Sequence, residues 1–205
     1  MVTATVHIVD DDTSFRTAVA RLLKASGFDV ESYSGSQELL DRVPDGPGCI
    51  LLDQNMPGLS GLELQDRLLQ LAPLMPIIFL SGAGSVSTSV RAMKAGADDF
   101  LEKPASSADL LAAVRRAVAR GEAQRLEQDK LNLLQAVFKS LTPREVQVFK
   151  QMVRGRLNKQ IAFDLATSER TIKAHRHKVM EKLHARSLAE AISIADKLGL
   201  LGPPD

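Results

Sequence analysis

The stretch Cys49-Ile50-Leu51-Leu52-Asp53 decides the fold of the first half of the chain. An apolar run that ends in a carboxylate is typical of a buried parallel strand, which carries the acid to the edge of a sheet. The pair Pro57-Gly58 then turns the chain. Ligands of open α/β sheets bind beyond the carboxyl ends of the strands, so we expect partners for Asp53 at neighbouring strand ends.

Polar side chains come directly after three other predicted strands of the same half. They are Asp10, Asp11 and Asp12 after residues 6–9, Ser81 after residues 77–80, and Lys103 after residues 100–102. A single polar residue in such a place is usually a solvated loop residue. The agreement of four strand ends argues against that interpretation and predicts one site at the edge of one sheet.

Composition limits the class of protein. A chain of 205 residues, of which 44% are hydrophobic, forms one large or two small domains with real cores. No apolar run approaches the roughly 18 residues that span a membrane, and the N-terminus lacks the pattern of a secretory signal. Cys49 is the single cysteine, so no internal disulfide can form. We therefore expect a cytoplasmic protein that has no contact with a membrane.

Charge divides the chain into two parts. Residues 1–120 carry 11 Lys and Arg against 15 Asp and Glu, whereas residues 121–205 carry 15 against 10. The first part is therefore acidic and the second part is basic. Two domains with different partners are expected, and nucleic acid is the expected partner of the basic one.

The first 120 residues alternate between strands and helices. Strands are predicted at 6–10, 30–33, 49–53, 77–80 and 99–102. Helices are predicted at 14–26, at 36–43, after Ser60 with apolar residues from Leu62 to Leu71, at 87–94 and from 107 onward. Ser60 and Glu63 form the expected capping box of the third helix, and Ser34 with Gln37 is the expected cap of the second. Five βα units imply a five-stranded, doubly wound parallel sheet of the α/β class, with helices on both faces.

The acidic residues at the strand ends require a cation. Asp10, Asp11 and Asp53 would repel one another at adjacent strand ends, and Mg²⁺ prefers such oxygen ligands. Three carboxylates, the ammonium of Lys103 and one dication carry no net charge, which leaves the site ready for an anion. The Ser81 hydroxyl and the Lys103 ammonium are the donors that a phosphoryl group needs. These residues predict phosphoryl transfer onto Asp53, which acts as a carboxylate nucleophile.

The same motifs resemble the receiver domain of two-component response regulators. The resemblance covers residues 1–120 and rests on Asp10-Asp11, Asp53 before Asn55-Met56-Pro57-Gly58, Ser81-Gly82 and Lys103-Pro104. It implies a flavodoxin-like receiver fold. The chain departs from the family pattern at Ala105, where Phe is common, and this departure concerns the packing of that corner.

The resemblance also implies roles for single residues. Asp53 would accept the phosphoryl group from a phosphohistidine of a cognate sensor histidine kinase. The implied Mg²⁺ ligands are Asp11, Asp53, the backbone carbonyl of Asn55 and, through water, Asp10. Mn²⁺ is the alternative ion. Ser81 and Lys103 would hold the phosphoryl oxygens, and the ring of Phe100 would turn inward when Ser81 moves.

Residues 121–139 are the predicted helical linker. No proline interrupts the chain between Ser107 and Pro143, Gly121 is the only glycine of that stretch, and apolar residues recur at helical spacing from Leu126. The linker is either one continuous helix or a joint that breaks near Gly121. Its first part could also pair with a second subunit.

Residues 140–205 predict an all-α domain of four short helices. Thr142 and Glu145 form a capping box, with Pro143 at the first helical position. The second and third helices are joined by a tight turn at Ala166-Thr167. Two short helices joined in this way form a helix-turn-helix.

The third of these helices is basic on its outward side. Between Arg170 and Arg186 there are six Lys or Arg, three His and one acid, Glu181. Helical spacing places Ile172, Val179 and Leu183 on the inner side, and Lys173, Ala174, His177 and Lys178 on the outer side. A charged run is usually only a solvated face. Here it lies on the second helix of a helix-turn-helix, which enters the major groove of DNA.

This half resembles the LuxR-type DNA-binding domain. The matching segments are Leu-Thr-Pro-Arg-Glu at 141–145, Asn-Lys-Gln-Ile-Ala at 158–162 and Thr-Ile-Lys-Ala-His at 171–175. The family's base contacts fall on Lys173, Ala174 and His177, and His177 replaces the usual lysine-like residue. Leu157 replaces the usual Ser or Thr cap. The predicted DNA-binding residues are Lys159, Arg170, Thr171, Lys173, Ala174, Arg176, His177 and Lys178.

The two halves together resemble a response regulator of the FixJ/NarL type. We therefore expect a transcriptional regulator, not an enzyme, that is phosphorylated on Asp53, forms a homodimer, binds promoter DNA and engages RNA polymerase. One alternative is a regulator whose receiver serves only as a dimerisation module. Another is a Mg²⁺-dependent phosphatase with an aspartate nucleophile. That class needs an Asp two residues after the nucleophile, where this chain has Asn55.

Overall fold

The computed structural model describes residues 3–82 and 86–201, with the backbone alone at residue 86. The chain divides into two compact units, Met1–Arg125 and Leu126–Asp205. The boundary lies within helix α5 (Ser107–Lys139), which contains the whole predicted linker. Over the described residues, no helix is both long enough and apolar enough to cross a membrane.

The first unit is, over its described residues, a five-stranded parallel sheet with helices on both faces. Its strands are β1 (Thr5–Val9), β2 (Asp29–Tyr33), β3 (Gly48–Asp53), β4 (Ile77–Ser81) and β5 (Asp99–Glu102). Its helices are α1 (Thr13–Ala25), α2 (Ser36–Leu40), α3 (Gly61–Leu71), α4 (Val86–Lys94) and the first part of α5. The strand order β2-β1-β3-β4-β5 is that of flavodoxin-like doubly wound sheets, which confirms the predicted fold class.

Both faces of the sheet are buried, because successive strand residues point into two different cores. Leu51 and Leu80 belong to the core that also contains Leu110 of α5. Leu52 and Phe79, one residue along in β3 and one residue back in β4, belong to the core on the other face. This double burial explains why the central strands β3 and β4 are nearly continuous apolar runs in the sequence, whereas β2 and β5 carry acidic residues.

The strand register brings the predicted acids together. Val9 pairs with Leu52, so Asp10 and Asp53 follow at adjacent positions of two neighbouring strands. Helix α3 begins directly behind them. A Cβ atom on Gly61 would lie 2.7 Å from the carbonyl oxygen of Asp53, so only glycine allows this close approach.

Two helix starts refine the sequence predictions. Asp12 caps α1, because its Oδ1 accepts hydrogen bonds from the backbone N–H groups of Ser14 and Phe15. The predicted cap of α2 by Ser34 with Gln37 is wrong. Ser34 instead donates its backbone N–H and its hydroxyl to the carboxylate of Glu38, a longer and charged acceptor.

The second unit packs short helices around its own core. Its helices after α5 are α6 (Pro143–Val153), α7 (Asn158–Asp164), α8 (Glu169–Lys182) and α9 (Leu188–Lys197). The predicted capping box of α6 is present, since Thr142 and Glu145 exchange side chain to backbone hydrogen bonds. Ala166 has a φ of 48° in the tight turn between α7 and α8. The fold is therefore the predicted helix-turn-helix arrangement.

Candidate functional site

A lysine lies between two carboxylates at the edge of the sheet. Nζ of Lys103 donates hydrogen bonds to Oδ2 of Asp10 at 2.6 Å and to Oδ1 of Asp53 at 2.7 Å. Asp10 is 1% exposed and Asp53 is 4% exposed. Burial lowers the pKa of Lys103, but the hydrogen bonds to the two carboxylates outweigh it and the net shift is upward. Lys103 therefore carries its charge between the two acids.

The second oxygen of each carboxylate is held by the backbone. Oδ1 of Asp10 accepts from the N–H of Asp12 at 2.9 Å, and Oδ2 of Asp53 accepts from the N–H of Asn55 at 3.0 Å. Both acceptors are thus fixed in the turns that follow β1 and β3. The turn at Asn55 leaves its side chain exposed beside the site.

The predicted switch residues lie on and beside β4 and β5: Ser81 ends β4, Phe100 lies within β5 and Lys103 follows β5 directly. Ser81 is buried, and its hydroxyl donates to the carbonyl of Gly82 at 2.8 Å. The backbone N–H of Lys103 donates to the carbonyl of Ser81 at 2.7 Å, so these two residues are joined. The ring of Phe100 is half-buried and stacks on Phe79, with ring centroids 6.2 Å apart.

Two residues of α1 belong to the site but were not among the predicted site residues. Nζ of Lys103 lies 4.4 Å from the centroid of the Phe15 ring. A guanidinium nitrogen of Arg16 donates to the backbone carbonyl of Asp10. Their position in the sequence indicates this, because both residues lie in the first turn of the helix that follows Asp10 at the sheet edge.

The donor chemistry of the site suits a hard dication. Asp10 and Asp53 offer buried carboxylate oxygens, and Asp11 is exposed next to them. Mg²⁺ prefers such ligands, so the residues fit the predicted ion. Over residues 3–82 and 86–201, however, no three His, Cys, Asp or Glu side chains converge tightly enough to hold a metal ion. The Lys103 ammonium instead binds the two buried carboxylates.

The basic surface of the second unit lies on α7 and α8. Seven of the eight predicted DNA-binding residues are exposed, namely Lys159, Arg170, Thr171, Lys173, Ala174, His177 and Lys178. Ile172, Val179 and Leu183 are buried, as predicted for the inner side of α8. The eighth residue, Arg176, is half-buried and donates from Nη1 to Oδ1 of Asn158 at 2.9 Å, which ties α8 to α7.

Comparison with known families identifies both units. The family model of the response regulator receiver domain matches residues 6–115, and the model of bacterial regulatory proteins of the luxR family matches residues 139–195. The chain belongs to the response regulators that combine these two domains. It is a two-component, DNA-binding transcriptional regulator, and its domains imply a sensor kinase and DNA as partners. Receiver domains generally bind Mg²⁺ at the phosphorylation site.

Curated relatives of this response regulator match nearly its full length. Nodulation protein W of Bradyrhizobium diazoefficiens is 41% identical over 198 residues, which are 96% of this chain and 87% of the relative. The transcriptional regulatory protein FixJ of Azorhizobium caulinodans is 40% identical over 201 residues, covering 98% of this chain and 95% of FixJ. The similarity therefore extends over both domains of this chain.

Solved structures of response regulators are similar as well. The structure of the response regulator StyR is 40% identical, covers 96% of this chain and 100% of its own, and superposes with a TM-score of 0.85. Full-length FixJ from B. japonicum is 36% identical, with a TM-score of 0.60 over 98% of this chain and 100% of its own. These likenesses agree with the fold described above.

Proposed function

We propose that Asp53 accepts a phosphoryl group from the phosphohistidine of a sensor histidine kinase and that this event switches DNA binding by the second unit. The buried contact between Asp53 and Lys103 carries the proposal. In the transfer, a carboxylate oxygen of Asp53 forms a bond to phosphorus while the phosphorus–nitrogen bond breaks. The bonding electron pair stays on the imidazole nitrogen.

The neighbours of Asp53 respond to the added charge. Lys103 already lies within hydrogen-bond distance of the acceptor, so its ammonium can follow the new phosphoryl oxygens. The hydroxyl of Ser81, which now donates to the carbonyl of Gly82, turns to donate to a phosphoryl oxygen. The ring of Phe100, on the adjacent strand β5, moves inward into the space that Ser81 leaves.

We assign Mg²⁺, with Mn²⁺ as the alternative, to Asp11, Asp53, the carbonyl of Asn55 and, through water, Asp10. When bound, the ion neutralises the charge that develops on the phosphoryl oxygens. Two of these carboxylates, those of Asp10 and Asp53, are buried, and hydrogen bonds from backbone N–H groups fix their orientation for binding the ion. Asp10 and Asp53, which bind Lys103, would also serve the ion.

The proposed DNA contacts lie on the exposed side of α8 and at the start of α7. Lys173, Ala174 and His177 face base edges in the major groove, and Lys159 contacts phosphate. The remaining members of the set are Arg170, Thr171, Arg176 and Lys178. One guanidinium nitrogen of Arg176 is held by Asn158, which leaves its other donors for the nucleic acid.

Assembly completes the proposal. Phosphorylation forms a homodimer through α4 and β5, since Phe100 lies on β5 and its movement alters that face. The dimer binds two half-sites of a promoter and engages RNA polymerase. The protein acts in the cytoplasm, without membrane contact and without turnover of a substrate.

A phosphorylation experiment that follows dimerisation and DNA binding tests the proposal. The full chain is treated with acetyl phosphate and Mg²⁺, and its oligomeric state and affinity for promoter DNA are measured beside the Asp53→Asn variant. We expect dimerisation and tighter binding for the native chain alone. Equal binding by both proteins, with or without acetyl phosphate, would support a regulator that is independent of phosphorylation. Multiple turnover of a small phosphoester would support the phosphatase.

A further inference from the structure

The ammonium of Lys103 has three N–H donors, and the described residues use two of them. One donates to Asp10 and one donates to Asp53. The Phe15 ring, with its centroid 4.4 Å from Nζ, attracts the cation by its quadrupole but accepts no conventional hydrogen bond. The ring can therefore hold the charged group in place while the third N–H stays available for a phosphoryl oxygen.

The Phe15 side chain packs against the core on one side and borders open space on another. Phe15 is half-buried and borders a cavity of about 220 Å³, which Leu22, Leu80, Ala105 and Leu110 also line. A larger residue than alanine at position 105 would occupy part of this space. The attraction between the ring and the ammonium therefore adds to the packing of Phe15 in holding the two groups together.

We propose that Phe15 is a positioning residue for phosphoryl transfer, which acts by holding the Lys103 ammonium at the Asp53 carboxylate. This inference rests on the proposed function, because it concerns the rate at which Asp53 is phosphorylated. Phe15 itself touches neither the nucleophile nor the phosphoryl group. Its effect passes entirely through the position and the desolvation of the lysine.

Fluorination of the ring separates this role from simple packing. Mono-, di- and trifluorophenylalanine at position 15 keep the shape of the side chain and progressively weaken its negative face. The rate constant is measured for phosphorylation by acetyl phosphate with Mg²⁺. In this step an Asp53 oxygen bonds to phosphorus, the phosphorus–oxygen bond of acetyl phosphate breaks, and acetate leaves with the electron pair. A small phosphodonor avoids any effect of the ring on kinase docking.

We expect the rate constant to fall steadily along the series, by about fivefold at its end, the size expected for one cation–π contact. The rate constant of Phe15→Leu should fall by at least as much. Phe15→Tyr keeps an aromatic ring with a negative face and should have the native rate constant. The matched control is Leu22→Ala, which removes apolar bulk from the same cavity without touching the lysine and should leave the rate unchanged.

The outcomes distinguish the two proposals. A rate that does not depend on fluorination, in a chain that is phosphorylated on Asp53, overturns the role of Phe15 and leaves the proposed function standing. A native chain that takes up no phosphoryl group on Asp53 overturns the proposed function, and the role of Phe15 with it. A slow Leu22→Ala variant that matches Phe15→Leu would show that the cavity, and not the ring, sets the rate.

Discussion

Nζ of Lys103 and Oδ1 of Asp53 lie 2.7 Å apart, although 50 residues separate them in the sequence. The contact joins the ends of β3 and β5 and supplies the positive charge that two buried carboxylates need. Burial of unpaired charge is costly in any protein. The same lysine is therefore a structural group in the resting chain and a phosphoryl ligand in the proposed mechanism.

The first prediction concerns Lys103→Met. Without the ammonium, Asp10 and Asp53 face each other uncompensated, so the free energy of unfolding of the first unit should fall by about 3 kcal/mol. Mg²⁺ should restore most of the loss, because it binds the folded state and supplies the missing charge. Tyr33 is the single tyrosine of a chain without tryptophan, so its near-ultraviolet signal during urea unfolding reports on this unit alone.

The control for this experiment is Lys24→Met, at an exposed lysine of α1. It should unfold like the native chain with or without Mg²⁺. A loss in Lys103→Met that Mg²⁺ does not reduce would argue against a shared site for the lysine and the ion.

The second prediction concerns pH and an ion pair in the DNA-binding unit. Nζ of Lys182 donates to Oε2 of Glu145 at 2.7 Å, and Glu145 is only 3% exposed. The hydrogen bond from Lys182, and next the one from the backbone of Thr142, lower the pKa of Glu145 below its ordinary 4.5. Such a carboxylate stabilises the fold above the unfolded pKa, and the stabilisation is lost as the pH falls through the folded pKa.

Hydrogen exchange of α6 and α8, followed along urea series at several pH values, measures this effect. Glu145→Gln should be less stable than the native chain near neutral pH, and the difference should shrink as the pH falls below about 4.5. Glu181→Gln, at an exposed acid of α8, serves as the control. A stability difference for Glu145→Gln that stays constant with pH would contradict the assignment.

The third prediction is a gain in stability. Leu157 is the N-cap of α7, makes no side-chain capping hydrogen bond and is 67% exposed. A serine there can accept from the N–H groups of the first turn, so Leu157→Ser should stabilise the second unit by about 1 kcal/mol. Leu157→Ala removes the same exposed apolar surface without adding a cap. If both variants gain equally in urea unfolding, the missing cap is not the cause.

The fourth prediction separates base contacts from phosphate contacts. Lys173→Ala should cost about 1–3 kcal/mol of binding free energy at the specific site and relax the preference at one base pair. Lys159→Ala should weaken binding to all sequences alike and reduce the salt dependence by about one ion. Titrations of both variants across salt concentrations and single-base operator variants test this. An equal loss for Lys173→Ala on specific and random DNA would make it a phosphate contact.

The central part of the site could be predicted from sequence because buried parallel strands are continuous apolar runs. The polar residue that ends or follows such a run lies at the sheet edge, which places Asp10 and Asp53 near one another, and Lys103 follows the shorter strand β5 at the same edge. The strand register agrees with this prediction. Val9 pairs with Leu52, so the next residues, Asp10 and Asp53, lie side by side. At these positions the residue types of the strands and the order of the strands in the sheet lead to the same site.

Other contacts depend on packing that a single sequence does not display. The approach of Phe15 to Lys103 joins α1 to the end of β5; the place of Phe15 in the first turn after Asp10 indicates that it lies near the site, but no periodic pattern indicates its contact with the lysine. For Arg176 a signal was present. It follows the buried Ile172 by four residues and precedes the buried Val179 by three, so its helical position borders the inner side of α8.

The most direct measurement for the central claim is the location of the phosphoryl group after incubation of the full chain with acetyl phosphate and Mg²⁺. Intact mass gives the number of groups, and borohydride reduction of the acyl phosphate marks its position for peptide sequencing. Asp53→Asn, which is nearly isosteric, is treated in parallel. The account predicts one phosphoryl group, located on Asp53, in the native chain and none in the variant. Stable incorporation at another residue of the variant, with normal activation of DNA binding, would contradict it.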